Sequence, residues 1–393
     1  MKDQFTSKIL ALIALGAIII YSINCRPAWN PEGNKIAYIY SNKCNGDNYY
    51  GIAIYDLNKK ESQSIIEATN EAQEEFLIPI EVFWSPKGDE LIYVSTPKDD
   101  STFSSTSKDT KKSDKIVISK YNLQLKEKKK INEIQVPGVS SASSMYPIIL
   151  KRERWLWIAG EDAYYRVDIK KNKGIKLKHE HAFVFGNNKN LFFVFKGDNN
   201  ELILGKIKTF FVYKEELLFT IPLKEKERTF LIGAIPAKRT QFAYIKNVEE
   251  KLQLIIVNKK GKSIKKIGLP DSVTLEDDEF PLHVQAEWNH KGTILWIVVK
   301  VKDKDKQDNF AIAEVNIVNE STRLIQFQDI ASKLEEEITP LHFALSPDQK
   351  YLAISLMGEN LLCLGLIDLT NNERKVTIAH PSSDLLSKLQ GEN

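Results

Sequence analysis

His181, His283 and His342 each fall just before a short apolar segment, and His179 and Glu180 stand beside the first of them. Imidazole and carboxylate are the donors that hold a zinc-like ion. The same residues, gathered in one pocket, would equip a hydrolase or lyase. A lone histidine at a strand start is more often a hydrogen-bonded surface residue, and these three belong to separate parts of the chain, so no metal and no cofactor is assigned. Asp303, Asp305 and Asp308 have the alternating spacing of a calcium loop, but the intervening lysines and the missing turn glycine argue against an EF-type site. No Gly-x-Ser-x-Gly elbow, phosphate-binding glycine loop, His-Glu-x-x-His helix or Cys-x-x-Cys pair occurs. The expectation is therefore a protein that is not an enzyme, with a hydrolase or lyase, or a purely structural surface protein, as the alternatives.

The elements that position these residues repeat. Trp29-Asn30-Pro31-Glu32-Gly33, Trp84-Ser85-Pro86-Lys87-Gly88, Trp288-Asn289-His290-Lys291-Gly292 and Leu345-Ser346-Pro347-Asp348-Gln349 are four copies of one turn, each running into an apolar strand. Proline restricts φ, Asn or Ser bonds the local backbone, and glycine supplies the reversal. Recurrence at about 40–50 residues, built from strands, is the signature of β-propeller blades. Aligning on the strand after each turn adds degenerate copies near Ile148, Val184 and Ile235. The fifth copy offers strands over Phe230–Ala234, Gln241–Ile245, Leu252–Val257 and Ser263–Ile267, with a glycine turn at Asn258–Lys262. The fold class expected is all-β: a single β-propeller of four-stranded antiparallel blades, seven by this alignment within a range of six to eight. Trp29, Trp84 and Trp288 are expected in the core between blades.

These turns resemble the TolB-type propeller repeat, related to the WD-repeat family, over about Pro27 to His380. The resemblance implies a docking module in the cell envelope. The chain departs from TolB in lacking an extra domain before the propeller, so TolB's own role is not implied. Within this organisation His181, His283 and His342 fall just before innermost strands, at the channel mouth.

Residues 1–24 carry Lys2 and Lys8 and then an apolar run from Ile9 to Ile20, the pattern of a signal peptide or membrane anchor. Cys25 follows directly and resembles a lipoprotein lipidation site, although Ser22-Ile23-Asn24 departs from the usual box. The alternative is an unmodified thiol beside a retained anchor. The chain divides into this segment, a propeller over 25–380 and a short tail, 381–393. Export leaves Cys44 and Cys363 as a possible disulfide. The expected address is exported and membrane-associated, periplasmic or at the cell surface.

Lys+Arg 55 against Asp+Glu 52 gives +3 over 393 residues, too balanced for whole-surface attraction to nucleic acid. Location matters more. Turns between third and fourth strands are basic: Lys59 and Lys60; Lys126 with Lys128, Lys129 and Lys130; Lys170, Lys171 and Lys173; Lys259, Lys260 and Lys262; Arg374 and Lys375. Connectors are acidic: Glu67, Glu71, Glu74 and Glu75; Glu276 to Glu279; Glu335 to Glu337. The expectation is a basic face offered to an acidic envelope protein or anionic envelope polymer, a membrane link through the N-terminal lipid or anchor, and no nucleic acid. Polar insertions at Pro97–Lys115 and Lys302–Lys306 would share the acidic, membrane-facing side.

Overall fold

The computed structural model describes residues 25–44, 47–67, 77–97, 115–135, 149–151, 155–159, 163–168, 173–180, 183–186, 191–197, 201–208, 214–222, 228–236, 240–248, 251–275, 286–302, 308–334, 337–358 and 361–381. Outside them lie the 1–24 segment, nearly all of the Pro97–Lys115 and Lys302–Lys306 insertions, His181, His283, Lys170, Lys171, most acidic connector residues and the tail from 382.

The described residues are almost entirely antiparallel strands. Four-stranded sheets run in sequence order through Leu77–Trp84, Glu90–Pro97, Lys115–Asn122 and Glu127–Gln135, and through Phe183–Gly186, Leu191–Gly197, Glu201–Lys208 and Lys214–Pro222. Another pairs Arg228–Ala234, Gln241–Val248, Lys251–Asn258 and Ser263–Gly268, matching the copy read from the sequence. The sheet from Ile149–Lys151 to Lys173–Glu180 has the same order. In the unit of Ile294–Lys302, Asp308–Asn316 and Ser321–Gln326, two pieces, Val273–Thr274 and Ala286–Trp288, share the first-strand position. The largest sheet joins an N-terminal unit, Ala28–Trp29 through Glu61–Ile66, to a C-terminal unit, Thr339–Leu345 through Val376–Ala379. Among the described residues their ladder contact is Ser41 opposite Leu362.

The core lies between units. Ile39 and Ile52 pack on Val82 and Tyr93 of the next sheet, Leu204 on Phe242, Leu254 and Ile256 on Leu295 and Ile297, and Trp296 and Ile312 on Ile354. The C-terminal unit closes on the N-terminal one through Ala353 and Leu364 against Ile36 and Tyr38. Strands in such a stack are covered on both faces. Tyr351–Met357 is accordingly apolar nearly throughout and buried from Leu352 on.

The repeated turn has a repeated hydrogen-bond pattern. Asn30, Ser85, Asn289 and Ser346 each donate from their N–H to the carbonyl of the residue that opens the next strand, and accept from the N–H of Gly33, Gly88, Gly292 and Gln349. Gly33 and Gly88 have φ of 75° and 74°, where a side chain would be strained. A Cβ at Gly33 would also meet Pro347 Cδ at 3.3 Å, and one at Gly88 would meet Pro31 Cδ at 3.3 Å. Each turn glycine thus seats on the turn proline of the preceding unit.

Trp29 and Trp84 follow the same neighbour rule, while the buried Trp288 Nε1 has no hydrogen-bond partner. Trp84 Nε1 donates to the Ala28 carbonyl and Trp29 Nε1 to the Ala344 carbonyl, both at 2.8 Å. Trp288 is buried in the adjoining core, whereas Trp29 and Trp84 are partly exposed at its margin. A short helix, Gln328–Leu334, was not expected. It starts where Phe327 O accepts from Ile330 and Ala331, whose side chains cap the last core layer.

Candidate functional site

First strands of neighbouring units touch one another: Ala28–Trp29 meets both Leu77–Trp84 and Thr339–Leu345, which in turn meets Ala286–Trp288. They are the inner strands. Arg26, Glu81 and His342 occupy one repeat position, three residues before Trp29, Trp84 and Leu345. The ladder breaks at this place. Between Pro79 and Glu81, and again between Pro340 and Phe343, the register shifts. A bulge re-aims side chains locally.

Glu81 is 2 % exposed, and its Oε2 has no hydrogen-bond partner. Burial pushes its carboxyl well above the ordinary carboxylate range, with Arg26 and the Val82 N–H pulling the other way. Arg26 is tied to two other units: Nη2 pairs with Glu287 Oε2 at 2.7 Å and Nε donates to the Phe343 carbonyl at 3.0 Å. Its side chain stays 45 % exposed. Burial also raises the Glu287 carboxyl, opposed by Arg26 and His290. Cys25 is 1 % exposed, its carbonyl accepts from Ser355 Oγ, and its thiol is pushed up by burial and then by Glu81, so it is no thiolate nucleophile. Such an arrangement supplies a carboxyl biased toward its neutral, proton-donating form beside a fixed cation.

Of the three histidines singled out in the sequence, His342 stands on the inner strand Thr339–Leu345, partly buried, while His181 and His283 lie outside the described residues. Among the described residues no three His, Cys, Asp or Glu side chains gather to hold an ion. Cys363 is buried in the C-terminal unit, and the Cys44 side chain lies outside the description. Arg26, Glu81 and Glu287 were missed by the sequence reading; their signal was the spacing from the turn aromatics.

The basic residues are placed as follows. Lys59, Lys60, Lys126, Lys259, Lys260 and Lys262 are exposed on turns between third and fourth strands. Lys128, Lys129 and Lys130 instead belong to the outer strand Glu127–Gln135. Lys128 Nζ lies 5.8 Å from the Tyr93 ring centroid, and Lys130 pairs with Glu133. Both turn sets share one side: the N–H of Leu57, Leu123, Ile317 and Leu369 donates to Asn34, Asp89, Thr293 and Lys350 of the first turn in the same unit. Arg374 is held by Glu314, with Nε to Oε2 at 3.2 Å.

No family model and no curated protein sequence matches the chain. Solved structures do. An oligogalacturonate lyase from Vibrio parahaemolyticus aligns with TM-score 0.53 and 10% identity over 90% of this chain and 91% of that one. The β-propeller domain of the Trilobed protease from Pyrococcus furiosus gives 0.51 and 14% over 90% and 96%. An acylaminoacyl peptidase from Pyrococcus horikoshii gives 0.52 and 12% over 93% of this chain and 53% of that one. The fold is a β-propeller. The expectation of a protein that is not an enzyme is corrected by these neighbours: the same fold is carried by proteins named as a lyase and a peptidase, so missing catalytic motifs do not separate this chain from enzymes.

Proposed function

We propose that this propeller is a hydrolase or lyase working at the inner-strand cluster, with Glu81 as general acid and Arg26 orienting the ligand. The observation that carries the reading is the buried Glu81 Oε2 without a partner beside a half-exposed Arg26. A neutral Glu81 would give its proton to the leaving oxygen as the C–O bond breaks, while water adds to the carbon in hydrolysis or a base takes the adjacent C–H proton and a C=C bond forms in elimination, the role for which a raised carboxyl pKa is suited. The reading takes the chain as a seven-bladed ring of TolB type, supported by the repeated turn and the antiparallel four-stranded units. The test is turnover by the full chain of a panel of neutral glycosides, uronides, esters and peptides. Glu81→Gln should lower kcat by about 10²-fold or more with the fold intact. Activity untouched by that change, or no turnover across the panel, would refute the reading.

A second reading is favoured by the turns. Asp56, Asn122 and Asn258 accept backbone N–H groups through Oδ1 and so hold Lys59, Lys60, Lys126, Lys259, Lys260 and Lys262 in fixed, exposed loops. That surface suits an acidic envelope protein or anionic polymer, reached by a chain exported and tethered through residues 1–25.

A further inference from the structure

We propose that the lysine-rich turn side of this propeller docks on an anionic lipid bilayer, with Ile264 and Val318 entering the headgroup layer and the lysines around them meeting lipid phosphates. The proposal rests on the reading that the basic turns meet an anionic partner, and it names that partner as a lipid surface. It turns the basic side toward lipid, the reverse of the orientation expected from the sequence.

The first observation is where apolar side chains break the surface. Among the described residues five large hydrophobic side chains are exposed, and three of them, Leu125, Ile264 and Val318, stand at or beside the connections between third and fourth strands, 66 %, 48 % and 72 % exposed. The second is that local hydrogen bonds fix two of these tips: the N–H of Leu125 donates to Asn122 Oδ1 and that of Val318 to Asn316 Oδ1, both at 2.9 Å. Little backbone entropy is then left to lose on docking. The third is that Ile264 and Val318 share one patch although they come from different units. Lys265 Nζ donates to the Ile317 carbonyl and pairs with Glu320 at 2.9 Å, stitching the connection before Ser263–Gly268 to the one before Ser321–Gln326. Lys259, Lys260, Lys262 and Lys266 are exposed around that seam, and its acid, Glu320, is already paired. Leu125 with Lys126, Lys128 and Lys129 gives a second foothold of the same composition on another unit.

Charge and side-chain type choose the partner. Protein interfaces favour aromatic residues and arginine and disfavour lysine, whereas this patch sets lysines beside aliphatic tips. A soluble polyanion would use the lysines and leave Ile264 and Val318 in water. An anionic bilayer uses both, since each lysine gains from the negative surface potential and each aliphatic tip from leaving water.

Co-sedimentation of the full chain with vesicles tests this, using phosphatidylcholine alone and phosphatidylcholine mixed with phosphatidylglycerol at physiological salt. The anionic vesicles should bind about tenfold more tightly than the neutral ones, or better. Any contribution of residues 1–24 is common to every variant, so the variants decide. Replacing Ile264 and Val318 together with Ser should weaken anionic-vesicle binding by about tenfold or more, with capture of soluble polyglutamate unchanged. Replacing Lys259, Lys260 and Lys262 with Gln should weaken both. Each variant is read alongside a cooperative thermal transition; if the double serine variant does not fold, Val318→Ser decides alone. Equal binding to neutral and anionic vesicles, or anionic-vesicle binding untouched by the serine changes, would overturn the proposal. Failure here is separable from failure of the reading beneath it. Polyglutamate capture without a preference for anionic vesicles leaves an acidic protein or polymer as the partner and sinks the lipid surface, and capture of neither sinks both.

Discussion

Glu81 opposes stability with the same atoms that, in the function proposed, serve chemistry. Its folded pKa is raised, so the folded chain binds its proton more tightly than the unfolded chain does. That contribution is fully present below the unfolded value of about 4.3 and is lost as pH rises through the folded pKa. Glu81→Gln, which has no proton to lose, should therefore gain in melting temperature over the parent as pH is taken from 4 to 8, while losing activity; a constant difference across that range would contradict the assignment. The pair of effects is the usual conflict between a poised site and a stable one. At this scale little was legible beforehand. Glu81 reads as one polar residue within Leu77–Trp84, and its spacing from Trp84, the same as that of Arg26 from Trp29 and His342 from Leu345, does not by itself say that its side chain is buried. Cys25 is read from the sequence as the first residue of the 25–380 propeller and a lipidation candidate, and its side chain packs in the core with Val82.

Elements were far more legible, since turns are set by local chemistry. Asn258 through Lys262 was read as a glycine turn, and Gly261 has φ of 75°. The same connection in other units puts Lys60, Lys126, Glu320 or Arg374 in the left-handed region, at a slightly later place in the turn, with φ of 57°, 54°, 57° and 53°. A non-glycine residue there is strained by roughly 1 kcal/mol. Lys126→Gly should then be neutral to stabilising by up to about 1 kcal/mol, despite the extra entropy of the unfolded chain. Gly33→Ala and Gly88→Ala should each destabilise by about 1–2 kcal/mol, combining positive φ with the approach of Pro347 and Pro31. Urea midpoints at constant slope would check all three, and a stabilising Gly33→Ala would be incompatible with the seat described. The degenerate units were harder to read because Ile149–Lys151 and Phe183–Gly186 lack the turn proline and tryptophan that mark the others.

At the scale of the molecule, the described strands of the N- and C-terminal units meet at Ser41 and Leu362. Ser41 carries the junction: its Oγ accepts from Leu362 N at 2.8 Å, and its carbonyl faces His380 Nε2 at 3.2 Å. Burial pushes His380 down to about 4. The folded state then binds fewer protons than the unfolded one between about 6.5 and 4, so stability is present above the unfolded value and falls on acidification through that window, by at most about 3 kcal/mol. His380→Gln should flatten that loss, measured as the difference in unfolding free energy between pH 7 and pH 4.5. The basic turns give a separate test: replacing Lys59, Lys60, Lys259 and Lys260 with Gln should weaken capture of a polyanion and its dependence on salt, with Glu81-dependent turnover unchanged. Beside the packed core between the N- and C-terminal units, side chains tie the junction, Arg26 to Phe343, Trp29 to Ala344 and Ser355 to Cys25. A closure of this kind behaves mechanically as a clasp. Pulled by its two ends, the junction is loaded one contact at a time and not along a whole ladder at once, so in a single-molecule stretching experiment the first rupture should occur at low force and release the C-terminal unit before any interior sheet yields.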